Sequence, residues 1–192
     1  MRKRLFRNLT HAPVTEAAPD TAGDGMIWIG AELQGVIERT LGRSLTIREV
    51  DAGSCNGCEL EIHALNNAFY DLERFGVRFV ASPRHADVLL VTGPVTCNMR
   101  VALERTYAAV PAPKWVVAVG DCAAGCGVFS GSYAVVGAVS AVVPVDLVIP
   151  GCPPTPLALM RGLLALMRRP ADVALHDSGG FGTSWSSGGR AP

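Results

Sequence analysis

The stretch Asp87-Val88-Leu89-Leu90-Val91-Thr92 has the length of a strand, and its four central residues are a continuous apolar run. A half-exposed strand would alternate apolar and polar residues, so an unbroken run predicts a strand that is buried on both faces. Residues 114–119 form a second run of this kind. Residues 44–50, 77–81 and 146–149 show the shorter patterns expected of further strands. The strands of a sheet are therefore spread from residue 44 to residue 149.

Apolar residues at helical spacing surround these strands and predict helices over residues 27–41, 58–75, 100–109 and 155–167. In the second of these helices, the apolar face would hold Leu65, Ala68, Phe69, Leu72 and Phe75. Strands that alternate with helices are typical of a parallel sheet covered by helices on both faces. The predicted fold class is therefore α/β.

The two ends of the chain differ from the predicted α/β domain, which covers residues 26–172. Residues 1–25 begin with a basic stretch and continue without periodicity, which predicts a flexible basic segment. Contact of that stretch with a membrane surface or an acidic partner is the alternative. Residues 173–192 are rich in Gly and Ser, a composition that predicts a disordered tail.

The charge balance excludes some classes of protein and points to partners. The chain has 192 residues, with 17 Lys and Arg against 17 Asp and Glu, so it lacks the basic excess of a nucleic-acid-binding protein. Charged residues make up 18% of the chain, against about 25% in an average soluble domain. We therefore expect partner proteins to cover part of the surface, over an apolar patch around the cysteines.

The apolar stretches of the sequence all fall short of the roughly 18 to 20 residues that a membrane span needs. The basic N-terminus is followed by neither a hydrophobic run nor a small-residue cleavage site, which argues against a secretory signal. We therefore expect a cytoplasmic protein. Because the cytoplasm keeps thiols reduced, the six cysteines indicate metal ligands or redox chemistry before structural disulfides.

The cysteines follow the carboxyl ends of the predicted strands. Residues 44–50, 87–92, 114–119 and 146–149 are followed, in that order, by Cys55, Cys97, Cys122 and Cys152. Cys58 lies three residues after Cys55, and Cys126 four residues after Cys122. The carboxyl ends of parallel strands meet at one edge of a sheet, where ligands bind. The sequence therefore predicts that distant cysteines converge at one edge.

Four thiolates at one edge suit an iron–sulfur cluster or a tetrahedral zinc ion. Structural zinc sites usually use two close pairs, and Cys122 with Cys126 could supply the second pair, so zinc stays open. Nearby glycines favour a cluster, because they let backbone N–H groups approach sulfur; they are Gly120, Gly125, Gly127 and Gly151. A thiol oxidoreductase that uses Cys55 and Cys58 is a further alternative, as are inert cysteines.

Four motifs together resemble one family. They are Gly53-Ser54-Cys55-Asn56-Gly57-Cys58-Glu59-Leu60-Glu61, Thr92-Gly93-Pro94-Val95-Thr96, Val119-Gly120-Asp121-Cys122-Ala123 and Pro150-Gly151-Cys152-Pro153-Pro154. In this order and spacing they resemble the 20 kDa, B-type subunit of NADH:quinone oxidoreductase (complex I) and the small subunits of membrane-bound [NiFe] hydrogenases, including formate hydrogenlyase. The resemblance covers roughly residues 45–168.

The resemblance implies a flavodoxin-like α/β fold that carries one [4Fe–4S] cluster and passes electrons to or from a large catalytic subunit. By position, the ligands would be Cys55, Cys58, Cys122 and Cys152. It also implies a ferredoxin-like iron–sulfur partner and, through the partners, peripheral attachment to the cytoplasmic face of a membrane. The chain itself would hold no complete active site, and chemistry on hydrogen or quinone would belong to a partner or to a shared site.

Other residues receive weaker predictions. Cys97 and Cys126 match no ligand position and are expected to be small buried residues near the cluster, although Cys126 could replace a ligand. Glu61 is expected in the first helical turn, where it would stabilise the helix end, contact the large subunit or serve a proton route. Glu59 and Asp121 are weaker candidates for supporting the ligands, and His63 is expected to be exposed.

The first motif favours the hydrogenase side of the family. Complex I subunits hold two adjacent cysteines where this chain has Cys55-Asn56-Gly57-Cys58. The chain also lacks the twin-arginine signal of exported hydrogenases, because no hydrophobic segment follows Arg2-Lys3-Arg4. Both features indicate a membrane-associated complex that faces the cytoplasm.

Overall fold

The structure is a computed structural model that describes residues 22–169 of the chain. Seven strands are β1 Leu45–Asp51, β2 Val77–Phe79, β3 Val88–Thr92, β4 Val95–Thr96, β5 Trp115–Val119, β6 Val135–Gly137 and β7 Leu147–Ile149. Five of them form a parallel sheet in the order β2-β1-β3-β5-β7. Counted along the chain, these five give the strand order 2-1-3-4-5 of flavodoxin-like sheets. The predicted fold class is confirmed.

Five α-helices accompany the sheet: α1 Ala22–Leu41, α2 Gly57–Ala64, α3 Arg100–Ala109, α4 Asp121–Gly125 and α5 Pro156–Met167. Short 3-10 helices lie at Leu72–Phe75, Pro83–His85, Gly127–Phe129 and Val139–Ala141. β4 and β6 pair antiparallel as a separate ribbon. α5 starts where the sequence predicts, because the hydroxyl of Thr155 accepts a hydrogen bond from the backbone N–H of Ala158.

Two apolar clusters enclose the sheet from opposite faces. One joins α1, α2 and α5 to the sheet through residues such as Leu33, Ile62 and Leu159. The other joins α3 and the segment around Val139 to the opposite face, through Leu103 and Leu89. All five residues of β3 are buried, as the unbroken apolar run predicts. Helices on both faces thus leave the carboxyl edge of the sheet open for a site.

The predicted helix over residues 58–75 is wrong in its second half. α2 ends at Ala64, and only residues 72–75 resume a 3-10 turn. The side chain of Asn67 interrupts the helix, because its Oδ1 accepts hydrogen bonds from the backbone N–H groups of Phe69 and Tyr70. As a result Phe69 is 57% exposed, and Ala68 is also exposed, instead of lying on a buried face.

The ends of the domain are only partly described. α1 begins at Ala22, five residues before the helix start that periodicity predicts, so residues 22–25 belong to a helix. The remainder of the predicted basic segment, the last residues of the predicted domain and the predicted Gly/Ser-rich tail lie outside the described residues. Between residues 22 and 169, no helix combines the length and apolarity needed to cross a membrane.

Candidate metal centre

Four thiols line one small cavity at the carboxyl edge of the sheet. They are Cys55 and Cys58 after β1, Cys122 after β5 and Cys152 after β7. The cavity measures about 80 Å³. Cys55 and Cys152 are exposed, whereas Cys58 and Cys122 are partly buried. The topology therefore brings together four residues that are separated by up to about a hundred positions, as the sequence predicts.

The loop that carries Cys55 is shaped by a side chain that the sequence analysis did not single out. Asp51 Oδ1 accepts hydrogen bonds from the backbone N–H groups of Gly53 and Ser54, at 2.8 and 2.7 Å. Gly93 lies against this loop with φ +69°, and a Cβ at Gly93 would stand 2.5 Å from the backbone N of Ser54. An Asp two residues before a Gly-Ser pair at a strand end is the signal that could have revealed this turn.

Glycines keep space free around two of the sulfur atoms. A Cβ at Gly120 would lie 2.7 Å from Cys58 Sγ, and one at Gly127 would lie 2.8 Å from Cys122 Sγ. A Cβ at Gly57 would stand 3.5 Å from Cys55 Sγ, which is ordinary van der Waals contact, and one at Gly125 would meet no atom within 4 Å. The backbone thus approaches the sulfurs closely at specific glycines.

Asp121 connects two of the cysteine loops. Its Oδ1 accepts a hydrogen bond from the backbone N–H of Gly151 at 2.8 Å, and its own N–H donates to the Gly151 carbonyl at 2.9 Å. Because Asp121 precedes Cys122 and Gly151 precedes Cys152, this pair of bonds fixes the relative position of two thiols. Asp121 therefore has the supporting position that the sequence suggests.

The thiols influence one another electrostatically. Burial raises the pKa of Cys58 to about 12, with further increases from the charge of Glu59 and from Cys55, Cys122 and Cys152. Burial and the charge of Cys152 also raise the pKa of Cys122, although the backbone N–H of Val128 donates a hydrogen bond to its sulfur and acts in the opposite direction. Four thiolates at this cavity therefore need positive charge to stabilise them, which a bound metal group supplies.

The cavity offers four thiols as donors to a metal group. Among residues 22–169, no three His, Cys, Asp or Glu side chains are grouped as the ligands of one metal ion. A zinc ion would hold its thiolates at about 2.3 Å from the metal and so draw the four sulfurs together. An iron–sulfur cluster spreads its cysteines over several irons and accepts a wider arrangement. The all-thiol donor set and the glycine-lined space around the sulfurs suit such a cluster.

Cys97 and Cys126 do not line this cavity. Cys97 is exposed, so the prediction that it is a small buried residue is wrong; its thiol lies 3.8 Å from the carbonyl oxygen of Tyr133, on the ribbon side of the fold. Cys126 is partly buried and has φ +67°. That backbone conformation is one that glycine adopts freely.

The acidic residues of α2 lie differently from the prediction. Glu59, not Glu61, is the acidic residue of the first turn, because the helix begins at Gly57. Glu59 is buried and Glu61 is half-buried. His63 is exposed, as expected. Of these two carboxyl groups, that of Glu59 is therefore the more deeply buried.

Comparison with known proteins identifies the family. The family model for the NADH ubiquinone oxidoreductase 20 Kd subunit matches residues 55–166. The chain belongs to this family. The match begins at Cys55 and spans Cys58, Cys122 and Cys152, so all four cavity thiols of this family member lie within it.

Individual relatives are subunits of a hydrogenase, a formate hydrogenlyase and a respiratory complex. The chain is 45% identical to the probable membrane-bound hydrogenase subunit of Pyrococcus furiosus over 69% of its own length and 80% of the relative. It is 45% identical to subunit 7 of the formate hydrogenlyase of Escherichia coli, over 69% of its own length and 52% of that protein. A solved chain of the archaeal membrane-bound sulfane sulfur reductase, a respiratory membrane complex, is 37% identical with a TM-score of 0.59, over 71% of this chain and 74% of that one.

Proposed function

We propose that this protein is an electron-transfer subunit that carries one [4Fe–4S] cluster on Cys55, Cys58, Cys122 and Cys152. The observation that carries the proposal is the convergence of these four thiols on one cavity. A bound cluster would accept and release one electron at a time. The chain's own residues would hold the cluster, exclude side chains from its surroundings at Gly120 and Gly127, and fix the ligand loops through Asp121.

The thiol oxidoreductase alternative is less well supported. It leaves Cys122 and Cys152 without a role, although both line the same cavity as Cys55 and Cys58.

The proposed partner is a large catalytic subunit that covers the cysteine edge. Cys55 and Cys152 are exposed, so a cluster held by them would lie at the surface of the isolated chain. Large apolar side chains accompany them, since Leu60 follows closely after Cys58 and Val128 is 84% exposed beside Cys122. Exposure of such apolar side chains to water is unfavourable, and burial in a protein–protein interface would shield them from the solvent.

The proposal also concerns the multi-subunit complex to which this chain would belong. The relatives named above are subunits of membrane-bound complexes, so we propose that this chain is a subunit of a hydrogenase-like or complex I-like oxidoreductase. Membrane attachment would come from partner subunits on the cytoplasmic face, and a ferredoxin-like iron–sulfur subunit would exchange electrons with the cluster. The reaction on hydrogen or quinone would take place in a partner or at a shared site.

Anaerobic purification of the full chain tests the cluster. We expect a brown protein with broad visible absorption, a low-temperature EPR signal after reduction, and about four irons and four sulfides per chain. A colourless protein that contains zinc would support a zinc-stabilised module instead. A colourless, metal-free protein in which Cys55 and Cys58 cycle between thiols and a disulfide would support the thiol oxidoreductase.

A further inference from the structure

The loop that carries Cys55 is held by side chains on both sides of the thiol. Before it, Asp51 Oδ1 accepts hydrogen bonds from the backbone N–H groups of Gly53 and Ser54, at 2.8 and 2.7 Å. Across it, the Ser54 hydroxyl accepts a hydrogen bond from the backbone N–H of Asn56 at 3.0 Å. Cys55 therefore lies between two residues whose N–H groups are both bonded to side chains, and Asp51, at the end of β1, anchors the series.

The packing around this turn leaves it little room for another conformation. The Ala52 carbonyl accepts a hydrogen bond from the backbone N–H of Thr96 at 2.9 Å, which joins the loop to β4. Gly53 lies so close to Thr96 that a Cβ there would stand 2.2 Å from the Thr96 Cγ2 atom, and a Cβ at Gly93 would stand 2.5 Å from the backbone N of Ser54. Ser54 and Gly93 also line the cavity, so the turn that Asp51 holds is part of the cavity wall.

Cys55 depends on this turn because no helix holds it. Cys58 lies in α2 and packs against the core, and Cys122 lies in α4. The loop of Cys152 is joined to Asp121. Cys55 is exposed and lies between β1 and α2, outside both elements. A ligand on a mobile loop would lose conformational entropy when it binds a metal group, and this ordering cost would weaken the binding.

We propose that Asp51 is a positioning residue that forms the Cys55 loop before a metal group binds, so that this thiol joins the ligand set with little further ordering. The inference rests on the proposed function, because it requires Cys55 to be a ligand of the cluster. Without the Asp51 carboxylate, the N–H groups of Gly53 and Ser54 would bond to water, and the loop would be free to take other conformations. Cluster binding would then have to order the loop, and the cluster would be held less firmly.

Release of the cluster from the full chain to an iron chelator under anaerobic conditions, followed by visible absorption, tests this role. We expect Asp51→Ala to lose its cluster roughly tenfold faster than the parent, because two backbone N–H groups lose their acceptor. Asp51→Asn keeps an acceptor oxygen and should restore a rate near that of the parent. Asn67→Ala is the matched control: Asn67 Oδ1 also accepts two backbone hydrogen bonds, but in a turn after α2 that lies outside the cavity lining. This control should release its cluster at the parent rate.

Hydrogen exchange of the cluster-free protein shows whether the loop is formed in advance. The amides of Gly53 and Ser54 should be protected in the cluster-free parent and in Asp51→Asn, and should exchange faster in Asp51→Ala. Ser54→Ala removes the acceptor of the Asn56 N–H and should also release the cluster faster than the parent. This second variant keeps the test valid if Asp51→Ala folds poorly.

Faster release in Asp51→Ala, with rates near the parent in Asp51→Asn and Asn67→Ala, supports the inference. Equally fast release in Asn67→Ala would indicate a general loss of stability and would overturn it. Parent rates in both Asp51→Ala and Ser54→Ala, or equal exchange of the Gly53 and Ser54 amides in the parent and Asp51→Ala, would also overturn it and leave the proposed function intact. A parent chain that binds no cluster would overturn the proposed function and this inference with it.

Discussion

Asp121 and Gly151 are joined by two hydrogen bonds, one from the Gly151 N–H to the Asp121 carboxylate at 2.8 Å and one from the Asp121 N–H to the Gly151 carbonyl at 2.9 Å. Each residue immediately precedes one of the cavity cysteines. The spacing between Cys122 and Cys152 therefore depends on contacts between two loops that follow different strands, β5 and β7. A ligand set assembled from separate loops holds its geometry only if the loops are tied together.

Replacement of the Asp121 carboxylate tests whether its hydrogen bond to Gly151 holds the two cysteine loops together. We expect Asp121→Ala to bind the cluster but to lose it faster in air, because Gly151 loses its acceptor and Cys152 gains freedom to move. Asp121→Asn keeps an acceptor oxygen at the same place and should behave nearly as the parent. The decay of visible absorption after exposure to oxygen measures the difference. Equal decay in the alanine variant and the parent would contradict the role of this bond.

The ligand assignment predicts a clear division among the cysteines. Single replacements of Cys55, Cys58, Cys122 or Cys152 by Ser should each abolish or severely reduce cluster binding, because a hydroxyl is a much poorer ligand for iron than a thiolate. Cys97→Ser is the control and should retain the cluster, since Cys97 does not line the cavity. Iron and sulfide analysis of each anaerobically purified variant decides. Cluster loss in Cys97→Ser with retention in Cys122→Ser would disprove the assignment.

Gly120 provides a test that leaves every thiol in place. Its φ is +87°, and a Cβ there would lie 2.7 Å from Cys58 Sγ, so Gly120→Ala must displace the sulfur or the backbone. We expect this variant to lose most of its cluster. Gly125→Ala is the matched control, because a Cβ at Gly125 meets no atom within 4 Å. Absorption spectra at equal protein concentration compare the two, and similar cluster content in both would show that the cavity adapts to the added methyl group.

The fold and the convergence of the cysteines could be predicted because both depend on strong, local signals. The run Val88–Val91 in β3 is apolar throughout, and the ends of β1, β3, β5 and β7 are each marked by the change to a Gly-containing loop. Parallel topology then leaves one edge for the loops. Knowledge of the strands was therefore sufficient to place four distant thiols at the same cavity.

The sequence was less informative where a side chain competes with the backbone or where burial matters. Periodicity continues through residues 58–75, yet Asn67 bonds to the main chain and stops the helix. Glu59 and Glu61 look alike in the sequence, and only packing distinguishes the buried carboxyl group from the half-buried one. The exposure of Cys97 depends on the β4–β6 ribbon, which was not predicted because its strands are only two and three residues long.

Asp87 stabilises the fold in a pH-dependent way. It is buried and accepts hydrogen bonds from the Arg43 guanidinium and from the backbone N–H and hydroxyl of Thr46. Burial pushes the pKa of Asp87 upward, but the bonds from Arg43 and Thr46 outweigh it and hold the pKa below its ordinary value. A lowered pKa in the folded state means that the ionised carboxylate stabilises the fold above about pH 4, and that this contribution is lost as the pH falls through the folded-state pKa.

Asp87→Asn should therefore lower the free energy of unfolding by about 1–3 kcal/mol at pH 7. The difference from the parent should shrink as the pH falls below about 4 towards the lower folded-state pKa of Asp87, at which the carboxyl group of the folded parent becomes protonated. Urea unfolding followed by circular dichroism at both pH values measures it. Glu104→Gln is the control, because the exposed pair with Arg100 is worth at most about 0.5 kcal/mol. A difference that is the same at both pH values would show that the carboxylate charge is not responsible.

The spacing of Cys55 and Cys58 predicts the kind of complex to which the subunit belongs. Asn56 has φ +70° and Gly57 opens α2, so the two intervening residues turn the chain and place both thiols on one cavity. Adjacent cysteines, as complex I subunits have them, would need a tighter backbone.

We therefore expect a co-purifying large subunit of the hydrogenase type, with two Cys-x-x-Cys pairs for nickel and iron, and a complex that shows hydrogen activity. Mass spectrometry of the purified complex and a hydrogen-uptake assay provide the test. A large subunit that lacks these cysteines, in a complex that reduces quinone without hydrogen activity, would place the protein with complex I, although the four-thiol site would be unaffected.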